Sequence, residues 1–340
     1  MRKVRWGVLS TAQIAREFLL PALARAENAE IGAIASANPA VDQIAEKFGI
    51  PTIHRSYEEL LEDDQIDVVY IPLPNALHAE WVKKAAKKGK HVLCEKPAAL
   101  TAKEAKEMLT VCIKNNVLFL EGFMYRFHPQ HQRVREIIES GEIGEVKAMR
   151  VSLSFTLDDQ ADNIRTNPAL GGGSLYDVGC YCIHAIRNLT RSEPMRVAAS
   201  RSMHPVHKVD STMTGMMEME NGVTALFDAA MDRMKTDKYE LIGTNGMIEV
   251  ERAFTPHLFA GEGVITVTNE KGEKRNESLT DDQYKLEAEW MSARILSNAP
   301  SADLMEDALN NLIVMDACRQ SAKGGTFVSV SPEKPISEKR

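Results

Sequence analysis

Three residues of types able to move a proton stand out by their settings. Lys96 lies in Glu95-Lys96-Pro97, at the end of the short apolar run His91-Val92-Leu93-Cys94. That run suits a strand buried on both faces of a parallel sheet, and Pro97 disfavours helical geometry at Lys96. Asp177 and Tyr181 follow Gly171-Gly172-Gly173 at i and i+4, so they share one face if the segment opens a helix. The three glycines permit a close approach of backbone to another body. An amine, a carboxylate and a phenol converging on one alcohol would serve its oxidation, which needs a hydride acceptor and a proton acceptor. A lysine beside a cationic nicotinamide in a partly dry cleft has its proton affinity lowered toward that task. The plainer alternative makes Asp177 a helix cap and Tyr181 an amphipathic core residue.

The elements needed to position these residues are legible upstream. Strand-like segments at Val4–Leu9, Ile31–Ala35, Thr52–His54, Asp67–Ile71, His91–Glu95 and Val117–Glu121 alternate with helical ones. Helices are expected over Gln13–Ala26, from Asn38 with Pro39 to Gly49, from Ser56, over His78–Lys88 and over Thr101–Asn116. Ser56 with Glu59 and Thr101 with Glu104 have the spacing of capping boxes. This alternation implies right-handed crossovers and a doubly wound parallel sheet. After Glu121 the rhythm changes. A helix over Pro129–Ser140 precedes strands at 146–155, 215–219, 223–229, 238–242 and 247–250. Asn221-Gly222, Asn245-Gly246 and Lys271-Gly272 mark antiparallel hairpins between such runs. The fold class expected is α/β: an N-terminal Rossmann domain, residues 1–122, and a C-terminal α+β domain, residues 123–340, with a large, mostly antiparallel sheet. Helices at 284–296 and 304–323 either cover that sheet or return to the first domain, and the tail after Pro332 is polar.

In such a sheet the first strand-to-helix turn would cradle a dinucleotide pyrophosphate. Here it reads Gly7-Val8-Leu9-Ser10-Thr11-Ala12-Gln13-Ile14-Ala15, with Ser10, Ala12 and Ala15 at the glycine positions of GxGxxG. Small residues still let the backbone approach a phosphate beside a helix N-terminus. An ordinary strand-turn-helix is the alternative. The second strand ends in Ser36-Ala37-Asn38. No carboxylate is present to repel a 2′-phosphate and Ser36 can donate to one, which slightly favours NADP over NAD, although no arginine follows. Pro72-Leu73-Pro74-Asn75, with His78 beyond, forms a rigid turn able to cover the nicotinamide side, or simply a proline-punctuated loop that caps a helix.

Composition excludes several classes. With 340 residues, 44% hydrophobic and 26% charged, the chain reads as a globular protein of two domains. A net charge of −7 without a basic patch argues against nucleic acid. No membrane span or signal peptide is read at the N-terminus, so a cytoplasmic protein is expected. Cys94, Cys112, Cys180, Cys182 and Cys318 are an odd set without CxxC spacing, and no disulfide framework or metal site is expected. Cys180, Cys182 and His184 alternate as on one strand face, but buried packing is the simpler reading.

Together, Trp6 to Ala15, Ser56-Tyr57-Glu58-Glu59-Leu60, Cys94-Glu95-Lys96-Pro97, Glu121 to Pro129 and Gly171 to Tyr181 resemble the Gfo/Idh/MocA oxidoreductases, the family of glucose-fructose oxidoreductase and inositol dehydrogenase. The resemblance covers nearly the whole chain. Within the family it leans toward the branch of dimeric dihydrodiol dehydrogenase and NADP-linked D-xylose dehydrogenase. It implies that Lys96 touches the reacting oxygen and the nicotinamide ribose, that Tyr181 accepts the proton, and that Asp177 orients sugar or base. It implies further that Ser10, Thr11, Ala12, Ile14 and Ala15 line the pyrophosphate and that Ser36 lies by the adenosine ribose. Leu73, Asn75, His78, Glu95 and Arg126 would flank the nicotinamide half, with Arg165 and Tyr284 as further contacts. The family commonly has glycine where Ser10 and Ala12 stand, and its NADP-using members arginine at the place of Ala37. The expected activity is hydride transfer between a sugar or cyclic polyol (aldose, inositol or diol) and NADP or NAD. The small-molecule substrate is the expected partner, with a homodimer or higher oligomer. The competing readings are a non-catalytic dinucleotide-binding regulator and a glycosidase using transient oxidation.

Overall fold

The computed structural model describes residues 2–158, 163–299 and 302–331. Residues 159–162 and the tail from Pro332 lie outside the described residues. The described residues divide into two compact units: the residues up to Met124 with Tyr284–Leu309, and Tyr125–Gln283 with the described residues from Asn310 onward.

In the first unit six strands form one parallel sheet: β1 (Val4–Leu9), β2 (Ala29–Ala35), β3 (Thr52–His54), β4 (Val68–Ile71), β5 (His91–Glu95) and β6 (Phe119–Gly122). Their spatial order is β3-β2-β1-β4-β5-β6, the doubly wound dinucleotide-binding order with its switch point between β1 and β4. All four residues of β4 are buried, as continuous apolar runs in a two-sided sheet require. The helices between are α1 (Leu20–Arg25), entered through a π-helical stretch Ala15–Leu19, then α2 (Ala40–Phe48), α3 (Tyr57–Leu61), α4 (Asn75–Lys87) and α5 (Ala102–Lys114).

Local chemistry sets their ends. Ser56 Oγ accepts from Glu59 N at 3.2 Å, and Thr101 Oγ1 from Glu104 N at 3.2 Å. The reciprocal carboxylates reach one residue further back than in the standard capping box, to Arg55 N and Leu100 N. Gly49, at φ 63°, closes α2 in the left-handed conformation that glycine adopts without strain. α4 begins three residues earlier than His78, because the turn Pro72–Pro74 leads straight into it.

Helix α8 (Gln283–Leu296) packs on the first unit. Trp6, wholly buried in β1, donates from Nε1 to Ser292 Oγ at 3.1 Å, and Asn28 Nδ2 donates to Glu289 O at 2.9 Å. Of the alternatives left open for this helix, the return to the first unit is the one found.

The second unit is built on a nine-stranded sheet: β7 (Val146–Thr156), β8 (Pro194–Met203), β9 (Asp210–Met219), β10 (Thr224–Ala230), β11 (Asp232–Gly243), β12 (Gly246–Glu251), β13 (Glu262–Asn269), β14 (Lys274–Thr280) and β15 (Val328–Ser329). Its order is β14-β13-β12-β11-β7-β10-β9-β8-β15. All its described pairings are antiparallel except β7 with β10. The expected hairpins at Asn221-Gly222, Asn245-Gly246 and Lys271-Gly272 are present. Two long helices join this framework, α6 (Pro129–Glu139) and α7 (Cys180–Thr190). The last, α9 (Ala302–Gly324), contributes its residues from Asn310 onward to this unit. Cys180, Cys182 and His184 lie in α7 rather than on a strand. Nine of the eleven α7 residues are buried, so it presents no polar face whose period would betray a helix. All five cysteines are free and buried, and burial pushes the thiols of Cys94 and Cys182 well up and those of Cys112 and Cys318 up to about 12.

Candidate active site

Lys96 follows directly on β5, at the carboxyl edge of the parallel sheet, and the Lys96-Pro97 peptide is cis. The turn it occupies is tied down from three sides. Glu121, 5% exposed on neighbouring β6, accepts the amide proton of Ala98 at 2.8 Å. Tyr70, on β4, donates its hydroxyl to Glu95 Oε1 at 2.6 Å; burial, then the Glu95 carboxylate, pushes this phenol well up. His78 is fully buried, with Nδ1 2.8 Å from Pro97 O and Nε2 2.7 Å from Leu73 O. Every proton the ring carries therefore has an acceptor. Burial holds the imidazole pKa below its ordinary value against the pull of the two carbonyls, and the Lys96 charge acts with burial. The neutral ring has one N–H and donates it to one of the two carbonyls, while the other nitrogen packs against the second, so His78 lies between the Leu73 turn and the Lys96 turn in contact with both.

At the switch point, Ser10 has φ 83°, the left-handed conformation that glycine usually supplies. Its amide donates to Ala35 O at 2.8 Å, and its Oγ accepts from Ala12 N at 3.2 Å. Ser10 is also hydrogen-bonded to the Tyr57 phenol, whose pKa burial raises. The tight turn of a phosphate loop thus forms without its glycines, small side chains flank it, and a helix starts at once behind it. These residues fit a dinucleotide pyrophosphate. Thr11 and Ala12 complete the turn, Ile14 is half-buried and Ala15 wholly so. Ser36 is 5% exposed just past β2, and Asn75 opens α4. Tyr284, 3% exposed, stacks on Phe18 with ring centroids 5.2 Å apart.

In the second unit, Asp177 lies in a π-helical stretch, Leu175–Gly179, that runs into α7 carrying Tyr181. Arg165 Nε donates to Asp177 Oδ2 at 2.7 Å. That carboxylate, together with the nearby Tyr181 phenol, raises the Arg165 pKa against burial. The glycine run explains how Arg165 arrives. A side chain on Gly172 would stand 2.4 Å from the Arg165 carbonyl, and Gly173 N donates to that same carbonyl at 3.0 Å. The close approach that the three glycines allow is thus to this chain's own backbone. Asp210, on β9, completes the seat: its Oδ2 accepts from Ser174 Oγ at 2.6 Å and from Leu175 N at 2.7 Å. Tyr181 is held among rings, 6.0 Å from Tyr125 and 5.7 Å from Phe254 between centroids, and Tyr125 Oη lies 2.5 Å from His184 Nδ1. Arg126 sits in the 3-10 turn Met124–Phe127, over the Phe127 ring at 5.6 Å.

Among the site residues expected from sequence, Leu73, His78, Glu95 and Lys96 are brought together in the first unit, and Arg165, Asp177 and Tyr181 in the second. The supporting Tyr70, Glu121, Tyr57 and Asp210 were not foreseen in these roles. A carboxylate at the end of an otherwise apolar strand was the available signal for Glu121; Asp210, 33 residues beyond Asp177 in the sequence, carried none. No group of three or more His, Cys, Asp or Glu able to hold a metal ion occurs among the described residues, and no described helix is long and apolar enough to cross a membrane.

Residues 4–123 match the oxidoreductase family with an NAD-binding Rossmann fold, and residues 131–249 match the GFO/IDH/MocA C-terminal domain. The chain is 38% identical to D-xylose 1-dehydrogenase (NADP(+)) 2 of Haloferax volcanii, over 96% of this chain and 99% of that one. Among solved structures it resembles a 3-ketoreductase of Actinomadura kijaniata in complex with NADP and TDP-benzene, with TM-score 0.88, 31% identity, and 94% and 98% of the two chains covered. It also resembles the aldose-aldose oxidoreductase of Caulobacter crescentus, with TM-score 0.89, 26% identity, and 96% and 100% covered. With both domain matches, this overall likeness and an NAD(P)-binding fold whose lysine stands at the carboxyl edge of the sheet, the chain belongs to the Gfo/Idh/MocA family of NAD(P)-dependent oxidoreductases, acting on CH–OH groups.

Proposed function

We propose that the protein oxidises a sugar or cyclic polyol, or reduces the corresponding carbonyl, with NADP preferred to NAD. The observation that carries this reading is the Lys96 turn, fastened by His78, Tyr70 and Glu121 at the carboxyl edge where open α/β sheets bind ligands. A bound nicotinamide supplies the hydride acceptor or donor. Ser10, Thr11, Ala12, Ile14 and Ala15 hold the pyrophosphate through backbone amides and the helix start, and Ser36 faces the adenosine ribose. Leu73, Asn75 and Glu95 border the nicotinamide half, with His78 acting through the two turns it joins; Arg126 and Tyr284 are further contacts.

Lys96 binds the reacting oxygen, and its positive charge favours the alkoxide that forms as the proton leaves. Tyr181, as its phenolate, accepts that proton in the oxidation and, as the phenol, returns it in the reduction. Asp177 fixes a substrate hydroxyl while Arg165 holds its carboxylate in place. The NADP-linked xylose dehydrogenase and the NADP complex of the ketoreductase support the choice of cofactor, and the sugar-acting relatives support the substrate class.

In this reading residues 1–122 form the dinucleotide-binding domain and 123–340 the substrate-binding and oligomer-forming one, with α8 added to the cofactor side by its packing. Met195, Met203 and Leu226, exposed on the large sheet, suit a homodimer or higher oligomer. A reducing cytoplasm suits five free cysteines. The deciding assay offers aldoses, inositols and diols with NADP and with NAD and follows absorbance of the reduced dinucleotide. Net reduction with one of these classes is expected, and none with any of them overturns the reading. Light scattering tests the oligomer, which a monomer would remove.

A further inference from the structure

The end of β2 carries no cation, but the neighbouring strand brings one to it. β2 and β3 run parallel with Ala35 opposite His54, and Ser36 N donates to His54 O at 3.1 Å. Ser36 and Arg55 are therefore the first residues past two adjacent strand ends, about 5 Å apart in the hydrogen-bonding direction. Ser36 Oγ accepts from Asn38 N at 3.1 Å, which leaves its own proton to donate outward. Asn38 Oδ1 accepts from Ala40 N at 2.9 Å and so caps the start of α2. Across that start lies the Arg55 guanidinium, with Nη2 2.7 Å from Asp42 Oδ1 and Nη1 3.1 Å from Asp42 Oδ2. The two side chains are 57% and 53% exposed.

We propose that Arg55 recognises the 2′-phosphate of NADP, in place of the arginine missing at Ala37, and that Asp42 holds its guanidinium ready over the site. This rests on the dinucleotide-site reading above. An exposed ion pair contributes little and is screened by salt. A phosphate dianion, which takes the guanidinium fork in the same two-pronged geometry, competes for it readily. Ser36 adds a hydroxyl donor from the adjoining strand end. The uncharged ribose diol of NAD offers Arg55 no such partner, so the residue acts on the ratio of the two affinities. Asp42 opposes the phosphate with its own charge, and neutralising it releases Arg55 fully to the ligand.

The test is direct titration of the full-length protein with NADPH and with NADH, followed by quenching of tryptophan fluorescence, for the wild type, Arg55→Ala and Asp42→Asn. Arg55→Ala weakens NADPH binding by about 10–100-fold, the worth of charged hydrogen bonds, and NADH by less than about 3-fold. Asp42→Asn tightens NADPH relative to NADH. The steep salt dependence of NADPH binding flattens in Arg55→Ala. Equal loss for both dinucleotides would show Arg55 stacking on adenine, and no loss would show it idle; either overturns the inference while the dinucleotide site stands. A wild type that binds neither dinucleotide overturns both.

Discussion

The turn around Lys96 and the helix start around Asp177 and Tyr181 are fixed by opposite means. Lys96 is positioned through backbone groups: the Pro97 carbonyl is bound by His78, the Ala98 amide by Glu121, and only Glu95 is held through its side chain. Asp177 and Tyr181 are positioned through side chains, by the Arg165 ion pair and by packing among Tyr125 and Phe254. A turn clamped at Pro97 and Ala98 through its backbone keeps those bonds when the Lys96 side chain is lost. At Asp177 the functional group and the structural contact are the same atoms, and at Tyr181 they are the hydroxyl and ring of one side chain.

The sharpest way to break this contrast is Lys96→Ala. Turnover should fall by about 10²–10⁴-fold, the usual worth of a positioned acid or base, with the fold retained, because the bonds that hold Glu95, Pro97 and Ala98 are kept. Near-normal turnover would sink its catalytic role, and a large drop in melting temperature would sink the backbone-clamp argument.

Tyr181→Phe comes next. It keeps the ring between Tyr125 and Phe254 and deletes the proton acceptor, so kcat should fall by about 10²-fold with KM little changed. Turnover that stays within a factor of two of the wild type would make Tyr181 a packing residue, the plainer reading of its sequence position.

How much of this was legible follows from range. The capping residues Ser56 and Thr101, Gly49 and the three Asn-Gly or Lys-Gly turns act within four residues, and a short window shows them. The parallel sheet followed from alternation, since crossovers leave few topologies open. The strand Pro194–Met203 was not read, because most of its residues are exposed or half-exposed and it lacks an apolar alternation. The parallel pairing of β7 with β10 joins Thr224 to Ala148, far apart in sequence, and no local pattern encodes it. In the site, Lys96 was visible because a charge at a strand end is locally odd. Arg165 was placed only through the family resemblance, since its partner Asp177 depends on where three glycines let the backbone pass.

Acid bears on the second unit through a buried histidine. In the second unit, His131 Nε2 donates to Ala253 O at 2.9 Å and Nδ1 accepts from the Tyr239 hydroxyl at 3.0 Å, a neutral imidazole fully satisfied. Burial lowers its pKa to about 3. The unfolded chain takes up this proton near pH 6.5, so stability from His131 is complete above that pH and is lost as pH falls toward about 3. At pH 5 the loss from this residue is about 2 kcal/mol. Urea midpoints of the wild type and His131→Gln at pH 7 and pH 5 read the difference, with the wild type the more pH-sensitive. Equal sensitivity would mean that His131 is already charged in the fold.

The smallest effect is expected at Ser10, where the phosphate loop departs from its glycines. At φ 83° a serine carries about 1 kcal/mol of backbone strain. Its hydroxyl recovers about as much by accepting from Ala12 N, a net hydrogen bond of roughly 0.5–1.5 kcal/mol. Ser10→Gly removes both terms together with the hydrogen bond to the Tyr57 phenol, so stability should fall by about 1 kcal/mol. The two terms differ in what they do to binding. Strain relief leaves the loop as it was, whereas loss of the hydroxyl frees the Ala12 amide to donate to a pyrophosphate. Dinucleotide affinity should therefore rise a few-fold in Ser10→Gly, equally for NADPH and NADH, in contrast to the selective loss expected at Arg55. A weaker affinity would mean that the Ser10 hydroxyl itself binds the phosphate, and that this loop has replaced a glycine's free amide with a side-chain donor.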